Sequence, residues 1–424
     1  MNQLSTMNLL LACLQETPAD DLYPQLAQST SAEWDALLAL ARRQGVAPLL
    51  FARLKHRGWL AALPPACQAA LEAAYYENCV RNLRLYQQLN AIITRLQQQG
   101  VAVLVLKGAA LATTVYADPA LRMMHDLDLL VDQAQLPRVC ALLQELGYAF
   151  ADETSLESDL LHRHHLPSLV KADGAVAVEI HWRITPPERY QPLATGPLWA
   201  RAMTTNLAGT ACQTLAPTDQ LLYVCLHAAY HHSFQQGVRF LCDLDAIVRR
   251  WGPALDWDSI QTQARQQGWR PGLYLTLYLA HTLLAAPIPQ QVLHALQPSG
   301  FNQEIVRLAR QHMFAAEEDE PKLSPAFVRM VEHSSGWARG KVLLERLFLP
   351  KHMLARLNRV SPDSYRIYGY YPRHYLGMVS RYLHHLGRLC RGDRRALVAA
   401  QEALTLRDWL AQDRGAVNSE GQAA

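Results

Sequence analysis

The string Asp126-Leu127-Asp128-Leu129-Leu130-Val131 constrains this chain more than any other. Strand side chains alternate between faces, so both aspartates point one way while Leu127, Leu129 and Val131 pack the other way into a core. A buried strand has no structural use for two like charges side by side. At a rise of roughly 3.3 Å per residue their backbones lie about 7 Å apart, and the carboxylates repel unless something cationic sits between them. A divalent metal ion meets that need.

The rest of the chain supplies room for such a strand. Half of its 424 residues are apolar, enough for two or three domains and a sizeable core. The formal charge of +3 is too small to mark the whole molecule as a nucleic-acid or membrane binder. Eight cysteines are scattered singly with no Cys-x-x-Cys pair, several in apolar runs such as Val139-Cys140-Ala141-Leu142-Leu143. That usage suits buried reduced thiols, hence a reducing, cytoplasmic setting. Leu9 to Cys13 is similar to a lipoprotein cleavage box, but no Lys or Arg precedes it, and it reads as a first helix. No run approaches the ~20 apolar residues of a membrane span.

Apolar residues at three-to-four spacing predict helices over residues 1–98, clearest at 34–41 and on the Leu85, Leu89, Ile92, Leu96 face, which stops near Gly100. Val101 to Leu106 is short and Val-rich, as a strand buried on both faces would be. A short helix over 109–116, the acidic strand 126–131, a helix from about 135 to 146 and a strand at 148–151 follow. Leu169-Val170 and the run 175–184 flank an Asp173-Gly174 hairpin step. From Thr218 the pattern is helical again, over 221–230, 238–249, 273–284 and 304–314. The expected fold class is α+β: a small mixed-sheet core over 99–200, helical regions at 1–98 and 201–411, and a disordered tail at 412–424.

With Lys107-Gly108 upstream and Val176 to Trp182 downstream, the acidic strand reads as a site for phosphoryl or nucleotidyl transfer. Three motifs, Leu106-Lys107-Gly108, Arg122-Met123-Met124-His125-Asp126-Leu127-Asp128 and Glu179-Ile180-His181-Trp182, occur in that order. In this the chain resembles the uncharacterised nucleotidyltransferases of the polymerase-beta superfamily, over roughly residues 30 to 290. The resemblance implies a nucleotidyltransferase core in which Asp126, Asp128 and Glu179 hold two Mg²⁺ ions. It implies transfer of a nucleoside monophosphate from an NTP, ATP among them, with pyrophosphate released. The acceptor is open among small molecules, sugars, peptides and proteins. On the third strand Ala177, Glu179 and His181 share one face, so Glu179 can turn toward the aspartates.

Lys107 and Gly108 stand where the wider superfamily has Gly-Gly or Gly-Ser, and are assigned to the phosphates. Arg122 either binds a phosphate or braces the carboxylates, and His125 and His181 are candidate supports for the acids. Asp132, past the strand end, and Asp173, in a turn, stay outside the site.

Two rival readings remain. Histidines cluster at 162, 164 and 165 and at 227, 231 and 232, followed by Asp243 and Asp245, which raises a His-Asp metal phosphohydrolase. The sole His-Asp dipeptide, His125-Asp126, belongs to the acidic strand, which favours histidines that line a pocket or satisfy buried polar groups. The other rival is a non-catalytic nucleotide-binding or assembly protein on the same fold. Against it, three carboxylates without metal repel a triphosphate. Between Arg339 and Arg395, thirteen Lys/Arg face three acids among tyrosines, a solvated basic face or a surface for an anionic partner such as RNA or membrane.

Overall fold

The computed structural model describes residues 3–151, 160, 163–172, 174, 176–185, 194–315, 351, 354, 360, 364–376 and 394–413. It opens with five helices: α1 (Gln3–Leu14), α2 (Leu22–Ala27), α3 (Ser31–Arg43), α4 (Ala47–His56) and the long α5 (Pro65–Gln98). Local chemistry sets their ends. Thr30 starts α3 with a capping box, accepting from the Glu33 amide at 3.3 Å while its own amide donates to Glu33 Oε2 at 2.8 Å. The chain leaves α5 through Gly100 at φ +66°, a left-handed turn that glycine makes without steric cost.

The middle of the chain forms one sheet. Its strands are β1 (Leu104–Val105), β2 (Asp126–Leu130), β3 (Ala149–Phe150), β4 (Leu169–Val170), β5 (Ala177–His181), β6 (Met203–Leu207) and β7 (Thr210–Thr214). Their order is β3-β4-β5-β2-β1-β7-β6. β2 runs parallel to β5 and antiparallel to β1, and β1 runs parallel to β7. Helices α6 (Lys107–Thr114), α7 (Leu136–Glu145) and α8 (Thr195–Arg201) connect them. The α+β class is as expected from the residue pattern, yet the sheet continues beyond residue 200. The β6–β7 hairpin turns at Ala208 and Gly209, at φ +47° and +94°, and its Thr-rich strands lie in a stretch assigned to no strand above. The first strand is also shorter than 101–106, because only Leu104 and Val105 have partners on both sides.

The alternation along β2 divides the sheet's two faces. Leu127, Leu129 and Val131 join Val178 and Ile180 of β5 beneath α5 and α7, against Leu89, Ile92, Val139 and Leu143. The opposite face carries Asp126, Asp128 and Glu179 at one end and a small apolar group, Leu104, Leu130, Leu198 and Tyr223, at the other. Beyond the sheet come α9 (Pro217–Leu226), a π turn (His227–His231), α10 (Arg239–Trp251), α11 (Trp257–Gln266), α12 (Arg270–Leu284), α13 (Gln290–Leu296) and α14 (Gln303–Phe314). Their core is continuous with that of the first four helices: Leu10, Trp34 and Leu50 pack in one cluster with Leu221, Phe234, Trp269 and Leu273. The helical regions before and after the sheet therefore share one interior.

No helix among the described residues is long and apolar enough to cross a membrane. Most of the basic segment 339–395, and residues 414–424 of the expected tail, lie outside the described residues. Within the described part Tyr365 and Tyr368 are exposed.

The π turn is held by Tyr230, whose hydroxyl accepts the Gly272 amide at 3.0 Å and so satisfies an otherwise unpaired donor in the first turn of α12. A Cβ at Gly272 would stand 2.6 Å from the Tyr230 ring. Gly272→Ala is expected to destabilise the fold by about 2 kcal/mol through overpacking. A lower urea midpoint at unchanged slope reports this; an unchanged midpoint shows that the ring has room to move.

Candidate active site

The site is assembled by three neighbouring strands. Asp128, at the middle of β2, lies beside Glu179 of β5 in the parallel register. Leu106, just past β1, donates its amide to the Asp128 carbonyl at 2.9 Å, which brings the following Lys107 over the acids. Asp128 is only 2% exposed, and a carboxylate so buried is costly unless paired. It is paired twice: Lys107 Nζ donates to its Oδ1 at 2.6 Å and His181 Nε2 at 2.9 Å. Glu179 sits at the edge of the same charge group, its Oε2 4.0 Å from Lys107 Nζ and 3.7 Å from His181 Nε2. Ser168 Oγ donates to its other oxygen at 3.3 Å.

The protonation states follow from these contacts. Burial works against the Asp128 charge, but Lys107 and His181 outweigh it and hold the carboxyl well below the usual range. Burial likewise opposes the Lys107 ammonium, and Asp128 more than compensates. Glu179 is also lowered: burial opposes its charge, and the His181 hydrogen bond together with His165 and Lys107 outweighs it. Asp126, on the same face and half-buried, has no such donor among the described residues. Burial first, then the Asp128 charge, push it up to about 6. Lys107 makes its contact from φ +45°, a left-handed backbone that costs a non-glycine residue roughly 1–2 kcal/mol.

Arg122 makes no hydrogen bond to the three acids among the described residues, although its charge favours the ionised form of Asp126. It is committed to Asp243 of α10, with Nε 3.2 Å from Oδ1 and Nη2 2.8 Å from Oδ2. The Tyr116 hydroxyl donates to the same Oδ1 at 2.8 Å. From α5, Asn82 Nδ2 donates to the Pro119 and Arg122 carbonyls at 2.7 and 2.9 Å, and Asn78 Nδ2 to the Ala120 carbonyl at 2.7 Å. Gly108 is required by this framework: a Cβ there would meet Arg122 Nη1 at 2.5 Å. Asp243, Asn78, Asn82 and Ser168 were not assigned to these contacts from sequence. Only the asparagines left a signal, two amides four residues apart on an otherwise apolar helix face.

The histidines gather beside the acids. His164 and His165 lie 5.5 and 5.0 Å from the His181 ring, and His164 lies 5.0 Å from His231. His227 continues the row, 5.0 Å from His231 and 4.6 Å from His232. Burial keeps them neutral, pushing His232 down to about 4 and His231 to about 3. The acids that a His-Asp phosphohydrolase would draw on are engaged elsewhere, Asp243 by Arg122 and Asp245 by Arg249. His125 has the opposite strand parity and is exposed, with no hydrogen bond to the acids among the described residues. His162 lies outside the described residues.

The residues fit a divalent cation. Asp128, Glu179 and His181 offer ligand atoms within 4.8 Å of one another, two carboxylates suited to a hard ion and one imidazole that extends the range to Mn²⁺ or Zn²⁺. Asp126 lies outside that tight group and joins it through charge.

A family model described as an uncharacterised nucleotidyltransferase matches residues 30–285. No curated protein and no solved structure gives a significant match.

Asp126 provides a pH signature. Its folded-state pKa of about 6 exceeds the ~3.9 of an unfolded aspartate, so the folded form holds the proton more tightly. Its ionisation therefore costs stability as pH rises from about 4 through 6, and the full cost is present above 6. In chelator, Asp126→Asn is expected to raise the melting temperature at pH 7.5, by an amount that shrinks as pH falls toward 4. A pH-independent difference rules this origin out.

Proposed function

This chain belongs to the uncharacterised nucleotidyltransferase family, and we propose that it moves a nucleoside monophosphate from an NTP to an acceptor hydroxyl or phosphate, releasing pyrophosphate. The observation that carries this reading is the placement of Asp128 and Glu179 side by side on parallel strands, with Asp126 on the same face. On this reading Asp126, Asp128 and Glu179 hold two Mg²⁺ ions, and His181 fixes the Asp128 carboxylate through its Nε2 donor. Bound cations there supply positive charge to the triphosphate and the departing pyrophosphate.

The protein's own groups do the rest. Glu179, more exposed than Asp128, takes the proton of the acceptor hydroxyl. Lys107, whose ammonium stands over the acids, would offer its charge to the phosphate oxygens. The first amides of α6, at Gly108 and beyond, face the same anion, and Arg122 supports that turn from below. The row of neutral imidazoles offers an uncharged surface beside the acids against which a nucleobase or acceptor can rest. Seven free cysteines among the described residues support the reducing cytoplasm as its setting.

One observation favours the non-catalytic alternative. Lys107 already balances Asp128 at 2.6 Å, so the acids have a counter-charge of their own.

Turnover separates the two. With Mg²⁺, α-labelled NTPs and a cell extract, label is expected to pass to an extract component with matching pyrophosphate release. Asp128→Asn is expected to lower transfer by more than about 100-fold, beyond what loss of an outer supporting group costs. NTP binding without turnover, or full activity of Asp128→Asn, would overturn the proposal.

A further inference from the structure

A cavity of about 950 Å³ opens between α1, α4 and α10, and no residue of the acidic site lines it. Its size suits a small organic ligand. Leu14, Leu49, Val115, Val248, Leu284 and Trp257 make most of its wall apolar. The charges at its edge do not cancel. Arg53 pairs with Glu16, and Arg249 with Asp245 at 2.8 Å, but Arg250 has no carboxylate partner among the described residues. Arg53 Nε is in addition buried without a hydrogen-bond acceptor among the described residues. The result is an apolar pocket with one surplus positive charge at an exposed residue.

We propose that this cavity is a second ligand site, taking an amphipathic monocarboxylate whose apolar body rests on Leu14, Leu49, Val248 and Leu284 and whose acid group meets Arg250. A single surplus cation matches a monoanion better than a doubly charged phosphate ester. The site stands independently of the transfer reaction. Tyr116 nevertheless joins the two regions: it lines the cavity, and its hydroxyl bonds the Asp243 carboxylate that holds Arg122 against Gly108.

The test is calorimetric titration of the full chain with octanoate and with 1-octanol, an uncharged ligand of the same length. Octanoate is expected to bind saturably at one site, at least about threefold more tightly than 1-octanol, the scale of one exposed ion pair. Arg250→Gln, a surface change, is expected to bring octanoate down to the 1-octanol affinity. Ala246→Phe, which fills the cavity from α10, is expected to abolish binding of both. Absence of saturable octanoate binding, equal affinity for the two ligands in the unaltered protein, or undiminished binding by Ala246→Phe overturns the assignment.

Discussion

The acidic site depends on one carboxylate taken out of water on the central strand. Asp128 is almost fully buried, and in that position an unpaired charge costs several kcal/mol. Its two donors come from opposite sides, Lys107 from the end of β1 and His181 from β5. The sheet order β5-β2-β1 is thus the order in which the charges must stand for Asp128 to be tolerated. The unfavourable φ of Lys107 is the local cost of carrying the ammonium to that point, and a charge-assisted bond worth roughly 1.5–3 kcal/mol offsets it.

Around this pair the fold is braced by polar ties between layers. Arg122 and Asp243 join the loop before β2 to α10, and Asn78 and Asn82 fasten the same loop to α5. Each tie is buried or partly so, where losing one partner leaves the other's polar atoms unsatisfied. Gly108 belongs to this bracing as well: its missing side chain makes space for the Arg122 guanidinium. Three acids on one face need such a frame, because Asp126, Asp128 and Glu179 repel each other except where Lys107 and His181 offset their charge.

The histidine row shows how burial selects one form of a residue. Six imidazoles, including His181, lie within 4.6–5.5 Å of a neighbouring ring, and a charged set at such spacing would repel strongly. Desolvation favours the neutral form of His164, His165, His227, His231 and His232 and leaves their rings as flat contact surfaces beside an anionic group. Their location next to the acids joins two sequence signals that looked separate, the acidic strand and the histidine clusters.

Strand parity made the acidic face legible from the chain alone, since period-two alternation places Asp126, Asp128 and Glu179 without knowledge of any partner. The Thr-rich hairpin at 203–214 was less legible, because β6 is an edge strand and both strands are half-exposed and carry little apolar contrast. The common interior of the first and last helices left no local trace at all, since apolar stripes do not name what they pack against. Sequence by itself determined which face of which strand carries charge, because backbone geometry and residue order suffice for that. Only the tertiary structure decided that Lys107 pairs with Asp128 and that Arg122 is bound to a helix 121 residues away, because long side chains go where burial leaves a charge uncompensated.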